Sequence, residues 1–126
     1  MYRRTLADLD LTDRAEYGGK AAHLGHAARL GCPVLPGVAV STRLFQRFVD
    51  QGALLSEVSL ILSTMQPRTM AQFQAAAWAI RSAFRIRRMA QDIRAELIAA
   101  FRETAAPLVA VRSSATNEDS PTRSFI

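Results

Sequence analysis

Apolar residues recur along most of this chain at intervals of three and four, the spacing that places side chains on one face of an α-helix. Alanines and one leucine follow this spacing in a predicted helix from about Lys20 to Leu30, where Gly31 is suited to form a left-handed cap. The same pattern predicts helices from Ser41 to Gly52, over about 53–64, from Met70 to Phe84 and from Ile93 to about Glu103.

Two of the predicted helices have a clear apolar face, which we expect to be buried. Ser41 is a suitable N-cap for the first, with Val40 and Phe45 placed as a hydrophobic staple. Its expected buried side chains are Leu44, Phe45, Phe48 and Val49. In the later helix the expected core-facing stripe is Met70, Phe73, Ala77, Ile80 and Phe84.

Two short segments have the character of strands. The proline-punctuated stretch Cys32–Val40 predicts a turn that leads into a strand. The uninterrupted apolar run Leu108–Val111 predicts a strand buried on both faces. Residues 1–17 show no clear period. The expected fold is therefore α+β, helix-rich, with residues 1–126 in a single domain.

Composition bounds the class of protein. The chain has 126 residues, of which 49% are hydrophobic, and no apolar run reaches the 18 residues that a membrane helix needs. One cysteine cannot form an internal disulfide, which is typical of a reducing cytoplasm and leads us to expect a cytoplasmic protein without a membrane partner. We expect Cys32 to be a small core residue.

A net charge of +5 favours an anionic partner, either a nucleotide or a nucleic acid. Arg81, Arg85 and Arg88 fall at i, i+4 and i+7 and predict one basic helical stripe, and Asp92 and Glu96 continue the same spacing and could neutralise its end. Such a stripe is usually a solvated face. We identified no aromatic platform beside these arginines, so we do not expect nucleic-acid binding.

Lys20 is the only lysine among sixteen Lys and Arg residues, and it follows Gly18 and Gly19 directly. A compact ammonium at a helix start is mildly unfavourable unless an anion joins it, and two glycines let a backbone approach such an anion closely. A Gly-Gly turn beside a solvated lysine explains the local sequence equally well. The missing upstream glycine and the missing Ser or Thr after Lys20 exclude a Walker A loop.

The segment after the second predicted strand is rich in hydroxyl and carboxylate groups. Arg112 follows that strand at once, where an arginine is well placed for phosphate. Glu118 and Asp119 could hold Mg²⁺, although turn carboxylates are more often solvated. His23 and His26 lie on one side of the first helix without further ligands nearby, so we expect them to be solvated and no metal to bind there.

Three blocks of this sequence together resemble the N-terminal ATP-binding domain of the pyruvate phosphate dikinase and phosphoenolpyruvate synthase family, which rifampicin phosphotransferases share. The first runs from Gly18 to Gly25 and the second from Gly31 to Gly37. The third is Val111-Arg112-Ser113-Ser114-Ala115-Thr116 with Glu118-Asp119 and Ser124-Phe125. The third block is the most specific, whereas residues 53–103 carry little of the resemblance.

The resemblance implies an ATP-grasp type of nucleotide site. By position, Lys20 and Arg112 match the family's phosphate-contacting lysine and arginine. The weaker candidates for the ATP site are Gly18, Gly19, Ser113, Ser114 and Thr116. In an intact relative, ATP would phosphorylate a catalytic histidine and the group would pass to pyruvate or, as in a rifampicin phosphotransferase, to an antibiotic hydroxyl.

The family pattern continues beyond Ser124-Phe125, where this chain has only Ile126. We therefore expect an incomplete domain that is inactive alone, with most Mg²⁺ ligands outside this chain. A separate chain that supplies the rest of the enzyme is a candidate partner. The alternative is a non-catalytic remnant or accessory module that acts by association.

Overall fold

The computed structural model describes residues 1–116. In chain order its elements are β1 (Arg3–Thr5), two short 3-10 helices (Leu6–Asp8 and Leu11–Asp13), α1 (Arg14–Tyr17), α2 (Gly19–Arg29), β2 (Val38–Val40), α3 (Thr42–Gln51), α4 (Leu54–Met65), α5 (Met70–Ile86) and α6 (Gln91–Glu103). The chain is thus mostly helical with one small sheet, which agrees with the predicted helix-rich α+β fold.

Two compact units divide the chain, the first comprising Met1–Phe45 and the segment that begins at Gln91. In this unit β1 pairs antiparallel with β2, with Arg4 opposite Ala39. The core beside the sheet consists of Leu9, Tyr17, Ala21 and Ala39, with Leu6 packed against it. The strand predicted before Ser41 is confirmed, whereas its partner β1 lies in the segment where the sequence showed no period.

Helix α6 belongs to the first unit and packs against β2. Arg3 of β1 reaches two of its carboxylates, with distances of 2.9 Å to Glu96 and 2.8 Å to Glu103. These charge-assisted hydrogen bonds fasten the N-terminal strand to a helix more than ninety positions later in the sequence.

The second unit, Gln46–Ala90, is a helical hairpin in which α4 packs against α5. Its core is built from Val49, Leu54 and Ala83. Phe48, Ile61 and Phe84 pack around this core, and the rings of Phe48 and Phe84 lie 6.3 Å apart between centroids.

Local capping signals set several helix ends. Ser41 accepts a hydrogen bond from the amide of Arg43, which confirms it as the cap of α3. Gly31 has φ +82° just after α2, as the predicted left-handed cap requires. Thr69 and Gln72 form a reciprocal capping box at the start of α5. The Thr-x-x-Gln spacing of this box is a sequence signal that the prediction overlooked.

The predicted strand Leu108–Val111 is wrong. Within residues 1–116 the structure has only β1 and β2 as strands, and the run is exposed, with Leu108 at 88% and Val111 at 93%. A strand forms only when a second backbone takes its hydrogen bonds, and an apolar sequence does not supply that partner.

The predicted buried face of α3 is confirmed except at Phe45, which is 57% exposed. Leu44 and Val49 are buried, and Phe48 packs against the core of the second unit.

The predicted buried face of α5 is wrong at its first turn, where Met70 and Phe73 are exposed. The buried side chains of α5 are instead Ala76 and Ala83. Alanines allow two helix backbones to approach closely, and Phe84, the last residue of the expected stripe, packs against the same core.

Cys32 is exposed, so its expected place in the core is a further correction. It lies in the irregular segment between α2 and β2, where Leu35 is also 86% exposed. In the part of the chain that the structure describes, no helix is long and apolar enough to cross a membrane.

Candidate phosphate-binding site

The first and third sequence blocks meet at the start of α2. The amide of Gly19 donates to the carbonyl oxygen of Ala115 at 3.1 Å. The amide of Ala21 donates to the hydroxyl of Ser114 at 3.0 Å. Residues more than ninety positions apart are therefore joined on both sides of Lys20.

Gly18 makes this approach possible. Its backbone has φ +83° and ψ 164°, a conformation that is essentially restricted to glycine. A Cβ at this position would lie 1.8 Å from the carbonyl oxygen and 2.4 Å from the hydroxyl oxygen of Ser114. The sequence suggested that an anion would lie close to the backbone here. In the structure Ser114 fills the space beside Gly18.

The two predicted cations lie on the joined segments. Lys20 is half-buried in the first turn of α2, one residue before the amide that binds Ser114. Arg112 is exposed and precedes Ser114 by two residues. Of the weaker candidates, Gly18 and Gly19 are buried, Ser113 is exposed, and Ser114 and Thr116 are half-buried.

The hydrogen bonds at the start of α2 also limit how an anion could bind there. The first amides of a helix normally attract anions, yet those of Gly19 and Ala21 already donate to Ala115 and Ser114. These two amides are therefore not available to hold a phosphate at this place.

The two histidines of α2 each contact a different group. His23 Nδ1 lies 2.7 Å from the carbonyl oxygen of Gly19, and His26 Nδ1 lies 2.9 Å from a carboxylate oxygen of Asp10. The hydrogen bond from the Leu11 amide, and then that from His26, lower the pKa of the Asp10 carboxyl. Asp10 also caps the second 3-10 helix, so this cluster ties α2 to the N-terminal segment.

Within residues 1–116 no group of three or more His, Cys, Asp or Glu side chains could hold a metal ion. Glu118 and Asp119, the carboxylates considered for Mg²⁺, lie outside the described residues, as do Ser124 and Phe125.

The proposed arginine stripe does not lie on one helix, because α5 ends at Ile86, before Arg88. Trp78 precedes Arg81 by three residues on α5 and is 69% exposed. An aromatic side chain does therefore lie one helical turn from Arg81, contrary to that expectation.

A family profile described as the AMP/ATP-binding domain of pyruvate phosphate dikinase matches residues 14–126. The chain belongs to this family. The match includes the three blocks on which the resemblance depended, two of which meet at the start of α2.

Two curated relatives of the pyruvate phosphate dikinase family illustrate the similarity. A phosphoenolpyruvate synthase from Aeropyrum pernix is 36% identical over 115 residues, which cover 86% of this chain and 14% of that protein. A rifampicin phosphotransferase from a Streptomyces species is 34% identical over 122 residues, which cover 95% of this chain and 14% of that protein. The chain thus spans about a seventh of the length of these relatives.

Proposed function

We propose that this chain binds the phosphate groups of ATP through Lys20 and Arg112, as the ATP-binding part of a phosphotransferase similar to phosphoenolpyruvate synthase. The observation that supports this most directly is the pair of hydrogen bonds between the start of α2 and residues 114–115, since these join the segments that carry the two cations. Membership of an AMP/ATP-binding family supports the choice of ligand.

The two cations have different tasks in this proposal. The Lys20 ammonium sits on a flexible stem and can follow a phosphoryl group as it moves, whereas the planar Arg112 guanidinium can donate parallel hydrogen bonds to two phosphate oxygens. Neutralising the charge on phosphate and holding it in line are the main contributions of a protein to phosphoryl transfer. The proposed phosphate position is bordered by Ser113, Ser114 and Thr116, which follow Arg112 in the sequence.

The acceptor of the phosphoryl group, in this proposal, lies outside these 126 residues: a catalytic histidine and then pyruvate. The complete site is of the ATP-grasp type, in which two subdomains close on ATP. Most Mg²⁺ ligands lie outside this chain. The protein acts in the cytoplasm. By itself the chain is then inactive in phosphoryl transfer. A rifampicin phosphotransferase, with an antibiotic hydroxyl as acceptor, is the alternative within the family.

Calorimetric titration with ATP tests the binding. We expect Lys20→Ala and Arg112→Ala each to weaken affinity about tenfold or more, because each removes a charge-assisted contact to phosphate. Lys20→Arg should not restore the affinity if a compact ammonium is required. Arg94→Ala is the matched control, because Arg94 is an exposed residue of α6 whose loss changes the net charge equally.

Unchanged affinity in both alanine variants would refute this function. The titration is repeated with the remaining part of a relative added in trans, because a site formed from two polypeptides would bind ATP only then. In that case the same two variants must show the same loss.

An accessory interaction module is the second candidate, and large exposed apolar side chains favour it. On α4, Leu55 and Leu62 are 57% and 45% exposed and lie seven residues apart on one face of the helix, and adjoining exposed apolar side chains are common at protein interfaces. This candidate predicts a stable complex with another polypeptide that forms equally with and without ATP. Co-purification at both conditions distinguishes the two functions.

Trp78 with Arg81 keeps nucleic-acid binding as a minor candidate, since single strands bind where bases stack on an aromatic side chain beside cations. Such binding must weaken steeply as salt is raised. Absence of retention on single-stranded DNA or RNA at low salt would eliminate it.

A further inference from the structure

The geometry points to Ser114 as a positioning residue for the two cations, an inference that rests on the proposed function. Its hydroxyl accepts the hydrogen bond of the Ala21 amide, directly after Lys20, while its own backbone follows Arg112 by two residues. Ser114 thereby sets where the ammonium and the guanidinium stand relative to each other, without itself touching phosphate in this assignment.

Several contacts join the start of α2 to residues 114–115. Of those described, the hydrogen bond to the Ser114 hydroxyl is the contact that depends on the identity of a side chain. The hydrogen bond from Gly19 ends on the carbonyl of Ala115, and the close approach to Gly18 involves mainly the carbonyl of Ser114. Any residue can supply a carbonyl, but few side chains can accept a hydrogen bond at this distance.

Thermodynamic linkage makes this inference testable in the unmutated chain. If the bond between Ser114 and Ala21 strengthens the binding of a polyphosphate, the bound polyphosphate must stabilise that bond by the same factor. Exchange of the Ala21 amide hydrogen should then slow when inorganic tripolyphosphate is added. Amides of α5, in the other unit, serve as the internal reference.

Substitutions provide the second test, with tripolyphosphate and ATP as probes. Removing one hydrogen bond of this kind should weaken both affinities roughly three- to tenfold in Ser114→Ala. Ser114→Thr keeps the hydroxyl and should restore them to within about twofold of the unmutated chain. Ser56→Ala, which removes an exposed hydroxyl from α4, is the matched control.

The outcomes separate this inference from the proposed function. If Lys20→Ala and Arg112→Ala weaken binding but a folded Ser114→Ala binds normally, the inference fails and the function stands. If neither probe binds even when the remaining part of a relative is added in trans, or if neither cation variant changes the affinity, the function fails and the inference fails with it. Should Ser114→Ala not fold, the exchange of the Ala21 amide decides, and exchange that tripolyphosphate does not slow overturns the inference.

Discussion

Gly18 and Ser114 touch backbone to backbone, so that a side chain on residue 18 would begin 1.8 Å from the carbonyl oxygen of residue 114. Residue 18 also has a backbone conformation, φ +83° and ψ 164°, that side chains exclude. One glycine thus serves both the turn before α2 and the junction of the two segments that carry the candidate cations.

Gly18→Ala should destabilise the chain by about 3 kcal/mol or more, because it adds backbone strain and a steric clash together. Gly31→Ala is the matched control. Its φ is +82°, but open space surrounds the position of its Cβ, so only the strain of about 1–2 kcal/mol is expected. Urea unfolding of the two variants measures the loss in free energy of unfolding for each. Equal losses would contradict the expected clash and show that Ser114 moves aside at little cost.

Asp10→Asn should make the chain less sensitive to acid. Hydrogen bonds lower the pKa of this carboxyl in the folded state below its unfolded value of about 3.9, so its charge stabilises the fold above that value and the contribution is lost as pH falls through the folded pKa. Asparagine keeps the oxygen that caps Leu11, removes the charge and replaces the oxygen that accepts from Arg29 with an NH2 donor. Thermal unfolding of both chains between neutral pH and pH 2.5 tests this. Near neutral pH the unmutated chain should unfold at a higher temperature than Asp10→Asn, and the gap between the two temperatures should close below about pH 4. A gap that stays constant would contradict this.

Glu57→Ala should cost about 1–2 kcal/mol, because Arg87 loses the carboxylate to which its guanidinium donates. Arg87→Met should cost less. Among residues 1–116 the buried Nε of Arg87 has no hydrogen-bond partner, so this substitution also removes an unsatisfied polar atom, while the methionine keeps the side-chain stem beside Gly52. Chemical denaturation of both variants provides the comparison. Both variants lose the ion pair and only Arg87→Met removes the unsatisfied nitrogen, so a larger loss of stability for Arg87→Met would contradict this prediction.

Cys32 should react with a thiol-specific reagent in the native chain at nearly the rate found in urea, because it is exposed. Colorimetric titration of the thiol under both conditions tests this. If the thiol reacted only after unfolding, Cys32 would be buried, as the sequence suggested.

The local parts of this fold could be predicted because their causes are local. Ser41 lies next to the amides that it caps, and Gly31 takes its left-handed conformation whatever the rest of the chain does. The periodicity of apolar residues located α2 to α6 within a few residues, since the helical hydrogen bonds join residues four apart.

Predictions that depended on distant partners did less well. Leu108–Val111 has the composition of a strand, but no strand of the described residues pairs with it. Met70 and Phe73 have helical spacing, but burial depends on which neighbouring surface a helix meets. Lys20 and Arg112 could be named as candidates from residue type and order, whereas their roles stay predictions.

The sequence by itself determined α2 to α6 to within a few residues, the small strand before Ser41, the cationic residue types of the candidate site and the family to which they point. Only the tertiary structure decided which helix faces are buried, that Arg3–Thr5 pairs with Val38–Val40, and that Ser114 and Ala115 meet the start of α2. The reason is physical: a cap or a helical turn is completed by neighbours in sequence, whereas burial and strand pairing require surfaces that the chain brings together only when it folds.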